Sequence, residues 1–142
     1  MAAAVLGDRV TEANALVYLG VVRRESGDSP AAGQALQDAL NLYQVVGDRS
    51  GEAEALNETG TLHRATGHLD HAKNCHEQAL DLARQLNSPW DEAHALAGLG
   101  RCARAAGNIS EAATLLRRAR AIFQQLEAPE ATEVSAELDA LS

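Results

Sequence analysis

Three arginines, Arg24, Arg64 and Arg104, recur at a spacing of 40 residues. A guanidinium presents paired N–H donors that match a carboxylate, so a row of three is able to grip an acidic peptide bidentately. A local reading stands beside it. An arginine near the end of a helix and a glutamate at its start, here Glu12, Glu52 and Glu92, both complement the helix dipole. The first reading needs a shared groove, the second only isolated helix ends.

A second set of reactive types is confined to one stretch: His63, His68, His71, Cys75 and His76. Imidazole and thiolate ligate transition metals, and His71 and Cys75 fall four apart on one helical face. The spacing matches no standard metal motif, so no metal ligand and no cofactor is assigned, and these side chains read as core and surface fillers. Trp90, the sole tryptophan, reads as a staple between the loop before residue 92 and a neighbouring helix. Cys75 and Cys102 are the only cysteines, too few for a disulfide framework, and read as reduced and intracellular. There is no glycine-rich phosphate loop, no nucleophile elbow and no carboxylate pair in an apolar setting, so the chain is not expected to be an enzyme.

The elements that must hold these side chains follow from self-similarity. Residues 12–51, 52–91 and 92–131 align without gaps at a period of 40, with nine columns identical in all three copies. A fixed period of this size marks a solenoid, whose units bury apolar faces only against their neighbours. Composition agrees: aromatics are 3% of the chain and hydrophobic residues 46%, with alanine, leucine and other helix formers prominent. Each copy reads as two helices. The first carries Leu16, Leu19, Gly20 and Arg23 and ends at Gly27, suited to the positive φ of a C-cap. The second is expected to be capped by Ser29, Asp70 or Ser110 in the successive copies, with Pro30 in its first turn. Ser88 and Asp91 resemble a capping box for the next helix. Gly20 and its equivalents are expected to make room for the alanine columns of Ala32 and Ala39 on the facing helix.

Leucine, then leucine and glycine three and four residues on, a glycine ending the first helix and alanines on the second resemble the tetratricopeptide repeat over nearly the whole chain. The 40-residue period resembles the longer-helix members found in Pins-type scaffolds and in the C-terminal arrays of bacterial transcriptional regulators. The resemblance implies an all-α, right-handed α-solenoid of antiparallel helix hairpins, with three full units and partial helices at both ends. It implies a single array: 1–11 the remnant of a preceding helix, 12–51, 52–91 and 92–131 the units, and 132–142 a C-terminal capping helix. It also implies a concave groove lined by the first helices. Asn14, Val17, Val21, Arg24, Glu54, Asn57, Thr61, Arg64, His94, Ala97, Arg101 and Arg104 then lie on or near that face, and His63 meets His76 across the hairpin. Of these, Asn14, Arg24, Asn57, Thr61, Arg64, His94, Arg101 and Arg104 are the expected partner contacts. The family's carboxylate clamp is largely missing, since Val17, Val21, Asn57 and Thr61 stand where its Lys and Asn would be. Its usual aromatics are replaced by Leu16, Arg23, Leu36, His63, His76 and Leu116.

The expected function is a protein-interaction module that holds a partner peptide or protein, acidic where the arginines grip it, within a larger bacterial regulatory or scaffold protein. Eleven of the twelve basic residues are arginine, a bias that fits a GC-rich bacterial genome. The net charge of −8 disfavours nucleic acid and anionic lipid, and no apolar run approaches the roughly 20 residues of a membrane span. A cytoplasmic location is expected. Residues 5–9 match 45–49 in the same register, so the chain is expected to begin inside the last turns of an earlier second helix, with Met1 an engineered or alternative start and further repeats or domains upstream in the parent protein. The alternative function is self-assembly, as a homo-oligomer through apolar surface exposed near Leu16 and Leu19 in the terminal repeat.

Overall fold

The computed structural model describes residues 3–142, with side chains from Gly7 onward. Among the described residues it is helical throughout: α1 (Ala3–Glu25), α2 (Ser29–Val46), α3 (Arg49–Ala65), α4 (Leu69–Gln85), α5 (Pro89–Ala105), α6 (Ile109–Gln125) and α7 (Glu130–Ala140). Sequential helices pack as hairpins, α1 on α2, α3 on α4 and α5 on α6, and each hairpin stacks on the next. The architecture is the expected α-solenoid.

Five of the six turns between helices are closed by the same pair of backbone bonds; after α2 the Gly47 and Asp48 N–H groups both donate to the Tyr43 carbonyl. After α1 the Asp28 N–H donates to the Arg23 carbonyl at 2.9 Å and the Gly27 N–H to that of Arg24 at 3.0 Å, leaving the intervening residue left-handed. Glycine meets that demand inside each hairpin, at Gly27, Gly67 and Gly107 with φ of 83°, 82° and 85°. Between units the left-handed residue is Gly47, Asn87 or Glu127. This closure sets where the next helix starts, and it corrects the expected caps. The N-caps are Asp28, His68 and Asn108, so Ser29, Asp70 and Ser110 fall one or two residues inside the helices. Asp28 accepts from the Ala31 N–H, whereas His68 and Asn108 make no side-chain cap bond. The Ser88 cap does form: its Oγ accepts from the Asp91 N–H at 3.3 Å.

The beginning of the chain departs from expectation. No turn forms at Gly7-Asp8, because α1 runs unbroken from Ala3 to Glu25; a helical Gly7 lacks the left-handed closure of Gly47. Glu12 is therefore mid-helix, while Glu52 and Glu92 do sit in the first turns of α3 and α5. The expectation about Met1 lies outside the described residues.

Alanine columns at zero exposure, among them Ala32, Ala72, Ala112, Ala39, Ala79 and Ala119, let the paired helices approach closely. The glycine column does face the Ala32 column, a Cβ on Gly20 or Gly100 lying 3.4 Å from the Ala32 or Ala112 carbonyl oxygen, but a larger side chain comes closer still. A Cβ placed on Gly20 would lie 2.7 Å from Leu36 Cγ, and one on Gly100 would lie 2.8 Å from Leu116 Cγ. Ala39 is not among the nearest neighbours. In the middle unit the same place is taken by His76.

Candidate functional site

α1 touches α3 and α3 touches α5, while no comparable contact joins α2 to α4 or α4 to α6 among the described residues. First helices that sit closer together than second helices define the inner, concave side of the stack. Two adjoining cavities lie there. One of about 390 Å³ is lined by Arg24, Asn57, Glu58, Thr61, Arg64, His94, Arg101 and Glu133 among others. The second, about 230 Å³, is lined by Glu54, Asn57, Glu58, Trp90, Asp91 and His94. Sharing Asn57, Glu58 and His94, they form one trough. A separate cleft of about 340 Å³ lies between α4, α5 and α6 over Leu99, Cys102 and Leu115. It brings together none of the expected contacts.

Most of the expected side chains converge in the trough. Arg24 lies 3.7 Å from Glu58, a loose ion pair worth little on its own. The Arg64 guanidinium projects into the larger cavity, and its Nε is buried without a hydrogen-bond partner. Burial, with Arg101 nearby, lowers its pKa from the ordinary arginine value. Arg101 is the opposite case: its Nε and Nη2 donate to Glu137 at 2.8 and 2.7 Å. That bidentate pair raises the Arg101 pKa. Burial alone would raise the Glu137 carboxyl, but the bond to Arg101 and its charge outweigh burial and hold it below the usual carboxylate range.

Asn57 and His76 form a buried pair under the trough, Nδ1 to Oδ1 at 2.9 Å. With the imidazole donating through Nδ1, its Nε2 is left unpartnered. Burial, then the charges of Arg64 and Arg101, push the His76 pKa down to about 4, so the ring is neutral at physiological pH. Thr61 is turned back onto its own helix, donating to the Asn57 carbonyl. Asn14 is exposed and accepts from the buried Tyr43 hydroxyl, whose pKa is raised to about 12, chiefly by burial.

Other expectations are corrected. Val17 and Ala97 are core residues at 4% and 1% exposure, because the helix face that meets the neighbouring unit claims them. Arg104 is exposed and lines neither part of the trough, so the row of three reduces to Arg24 and Arg64, joined by Arg101 from another column. All three repeated arginines lie in the last turn of their helices, so the dipole contribution applies to each. His63 does not meet His76. Its ring lies 5.3 Å from His71 and 6.1 Å from His68, centroid to centroid, at the α3–α4 turn. Among the described residues no group of three or more His, Cys, Asp or Glu is arranged to hold a metal ion.

Trp90 belongs to the first turn of α5, not to a loop. Its ring packs edge-on against His94 at 4.6 Å and Phe123 at 5.9 Å, which is the staple anticipated, yet it also forms one wall of the trough. Sequence reading missed Glu58, Glu133 and Glu137. The available signal was the i, i+4 spacing of Glu54 with Glu58 and of Glu133 with Glu137. Burial, then the neighbouring Glu58 and Asp91, raises the Glu54 carboxyl pKa, and burial raises that of Glu58 against the offsetting charge of Arg24. The trough therefore offers paired donors at one end and crowded carboxylates at the other.

A family model described as tetratricopeptide repeat matches residues 11–85. No curated protein matches the chain in sequence. Among solved structures, the TPR domain of Arabidopsis FLU is 18% identical with a TM-score of 0.71, covering 84% of this chain and 98% of that one. BtubC (BKLC) from P. vanneervenii is 20% identical with a TM-score of 0.76, over 97% of this chain and 63% of that one. The TPR-like repeats of a Podosopora anserina putative kinesin light chain are 18% identical with a TM-score of 0.76, over 90% of this chain and 64% of that one. The chain thus spans under two thirds of the last two, and at these identities the likeness is one of fold.

Proposed function

Because the chain belongs to the tetratricopeptide repeat family, whose domains generally mediate protein–protein interaction, we propose that it holds a segment of a partner protein in the trough along α1, α3 and α5. The observation that carries this is the unsatisfied Arg64. A buried guanidinium N–H without an acceptor costs free energy on the order of 1 to 3 kcal/mol, and an incoming carboxylate or carbonyl would remove that cost. Arg24 is bound only loosely and stands in the same cavity. The expected contacts are Arg24, Arg64, Asn57, Thr61 and His94, with Arg101 as a conditional one; Asn14 and Arg104, outside both cavities, would meet only a segment that extends beyond the trough. We place it in a bacterial regulatory or scaffold protein, a source that the preference for arginine over lysine fits, and in the cytoplasm, which suits its two free cysteines.

The test is affinity capture with the wild-type chain and with Arg64→Glu and Arg24→Glu variants, whose folding is checked by circular dichroism. Loss of the same captured protein from both variants is expected. An unchanged captured set overturns the reading.

A second reading, self-association, is favoured by a specific contrast. Ala55, Leu62, Ala95, Leu99 and Cys102 are all buried, yet the same columns in α1 place Ala15, Leu19 and Val22 at the surface beside Tyr18, with Leu19 40% and Tyr18 73% exposed. Such a stripe suits a second copy of the chain. Light scattering over a hundredfold concentration range decides it, since a monomer throughout removes this reading and a dimer lost on Leu19→Glu supports it.

A further inference from the structure

α7 carries Glu130, Glu133 and Glu137 on one face, at positions i, i+3 and i+7. All three are directed at the trough wall. Glu130 lies 3.6 Å from His94 Nε2, Glu133 lies 3.7 Å from Arg101 Nη2, and Glu137 takes both arms of the Arg101 fork at 2.7 and 2.8 Å. The helix is short, and its apolar anchor is correspondingly small. Val134 and Leu138 are its buried residues, with Ala131 and Leu141 partly buried beside them, and Pro129 at its N-cap makes no side-chain bond. Of the three carboxylates Glu137 is the strong tie, through its bidentate bond to Arg101, while the other two, at 3.6 and 3.7 Å, add little.

We propose that α7 is a displaceable occupant of the trough, and that the partner is an acidic helical segment with carboxylates at the same spacing. The proposal rests on the groove reading above. With α7 in place an acidic segment finds only Arg24 and Arg64, flanked by Glu54, Glu58 and Glu133, which repel it. Departure of α7 removes Glu133 and frees the Arg101 fork and His94 beside Arg64, converting a crowded trough into one with three arginines on a wall. The same geometry states what the ligand must carry: carboxylates about one and two helical turns apart, able to reach Arg101 and Arg64 together.

The test uses a synthetic peptide of residues 129–142, titrated calorimetrically into the full wild-type chain and into the Glu133→Gln/Glu137→Gln chain. Binding to the variant at least tenfold tighter than to wild type is expected, with no binding by a peptide whose three glutamates are glutamine. Should the double variant fail to fold, Glu137→Gln alone replaces it with the same expectation. In the wild-type chain, saturating peptide is expected to accelerate amide hydrogen exchange over residues 131–140, with α1 to α6 unchanged. Equal affinity for wild type and variant, or unaltered exchange in α7, overturns the displacement; if Arg64→Glu abolishes that equal binding, the groove reading survives alone. No binding to either chain overturns the acidic helix as ligand, leaving the captured-protein experiment as the separate arbiter of the groove.

Discussion

The glycine column meets leucine in two units and histidine in one. Leu36, His76 and Leu116 fill the same place and are equally hidden, at 1%, 1% and 0% exposure. Leucine needs nothing further. Histidine needs a partner for its N–H and receives one from Asn57, which stands where the flanking units have Val17 and Ala97. The imidazole is also held from two sides: a Cβ on Gly60 would lie 2.6 Å from its Nε2, and one on Gly98 only 2.3 Å from its Cε1. The middle unit thus exchanges a simple apolar contact for a polar one that links α3, α4 and α5 beneath the trough. The lesson is that a repeat preserves shape at a position more strictly than chemistry.

The sharpest way to break this comparison is acid. With its folded pKa down at about 4 against an ordinary 6.5, His76 binds a proton more readily unfolded than folded. Its stabilising neutrality is complete above 6.5 and is lost as pH falls from there toward 4, amounting to roughly 3 kcal/mol. His94 and His63 are depressed too, burial leading in both, so the expected signature is a difference between urea-melt curves. Wild type should lose more stability from pH 7 to 4 than an Asn57→Ala/His76→Leu chain, and parallel curves would refute the assignment.

Next in size is the close approach itself. Gly98→Ala is expected to cost about 2 kcal/mol by overpacking against the ring, and His76→Ala in the same chain should recover part of it. Additive losses would mean the two sites do not touch. Smaller again is the exchange of chemistry at neutral pH. Asn57→Ala/His76→Leu should change stability by about 1 kcal/mol or less, in the stabilising direction, since a buried polar pair is replaced by the filling of the flanking units. His76→Leu alone should be worse than the double change, because it strands the Asn57 amide.

Much of this architecture was legible from the period, since the same columns recur wherever a hairpin repeats the same contact. Helix starts were less so. The turn closure at Gly27, Gly67 and Gly107 fixes the cap one residue later whatever side chain is there, even though residues of good capping type follow at Ser29, Asp70 and Ser110. The trough resisted sequence reading for a related reason. Its decisive pairs join residues far apart that recur in no other unit: Arg101 with Glu137, 36 apart, and His76 with Asn57, 19 apart. Arg101 shares its column with Val21 and Thr61, so periodicity averages it away. Arg24 and Arg64 are legible because they repeat; Arg104 repeats with them yet lies outside both cavities.

Trp90 has a consequence for observing the molecule. It is the chain's one tryptophan, fixed edge-on to His94 and forming part of the trough wall. Excited at the red edge of the band, where Tyr18 and Tyr43 do not absorb, its emission is therefore a local optical gauge whose light comes from the mouth of the groove. An imidazole that gains a proton or changes its neighbour at 4.6 Å will alter that emission directly, so occupancy of the trough is readable in the native chain without attaching a label.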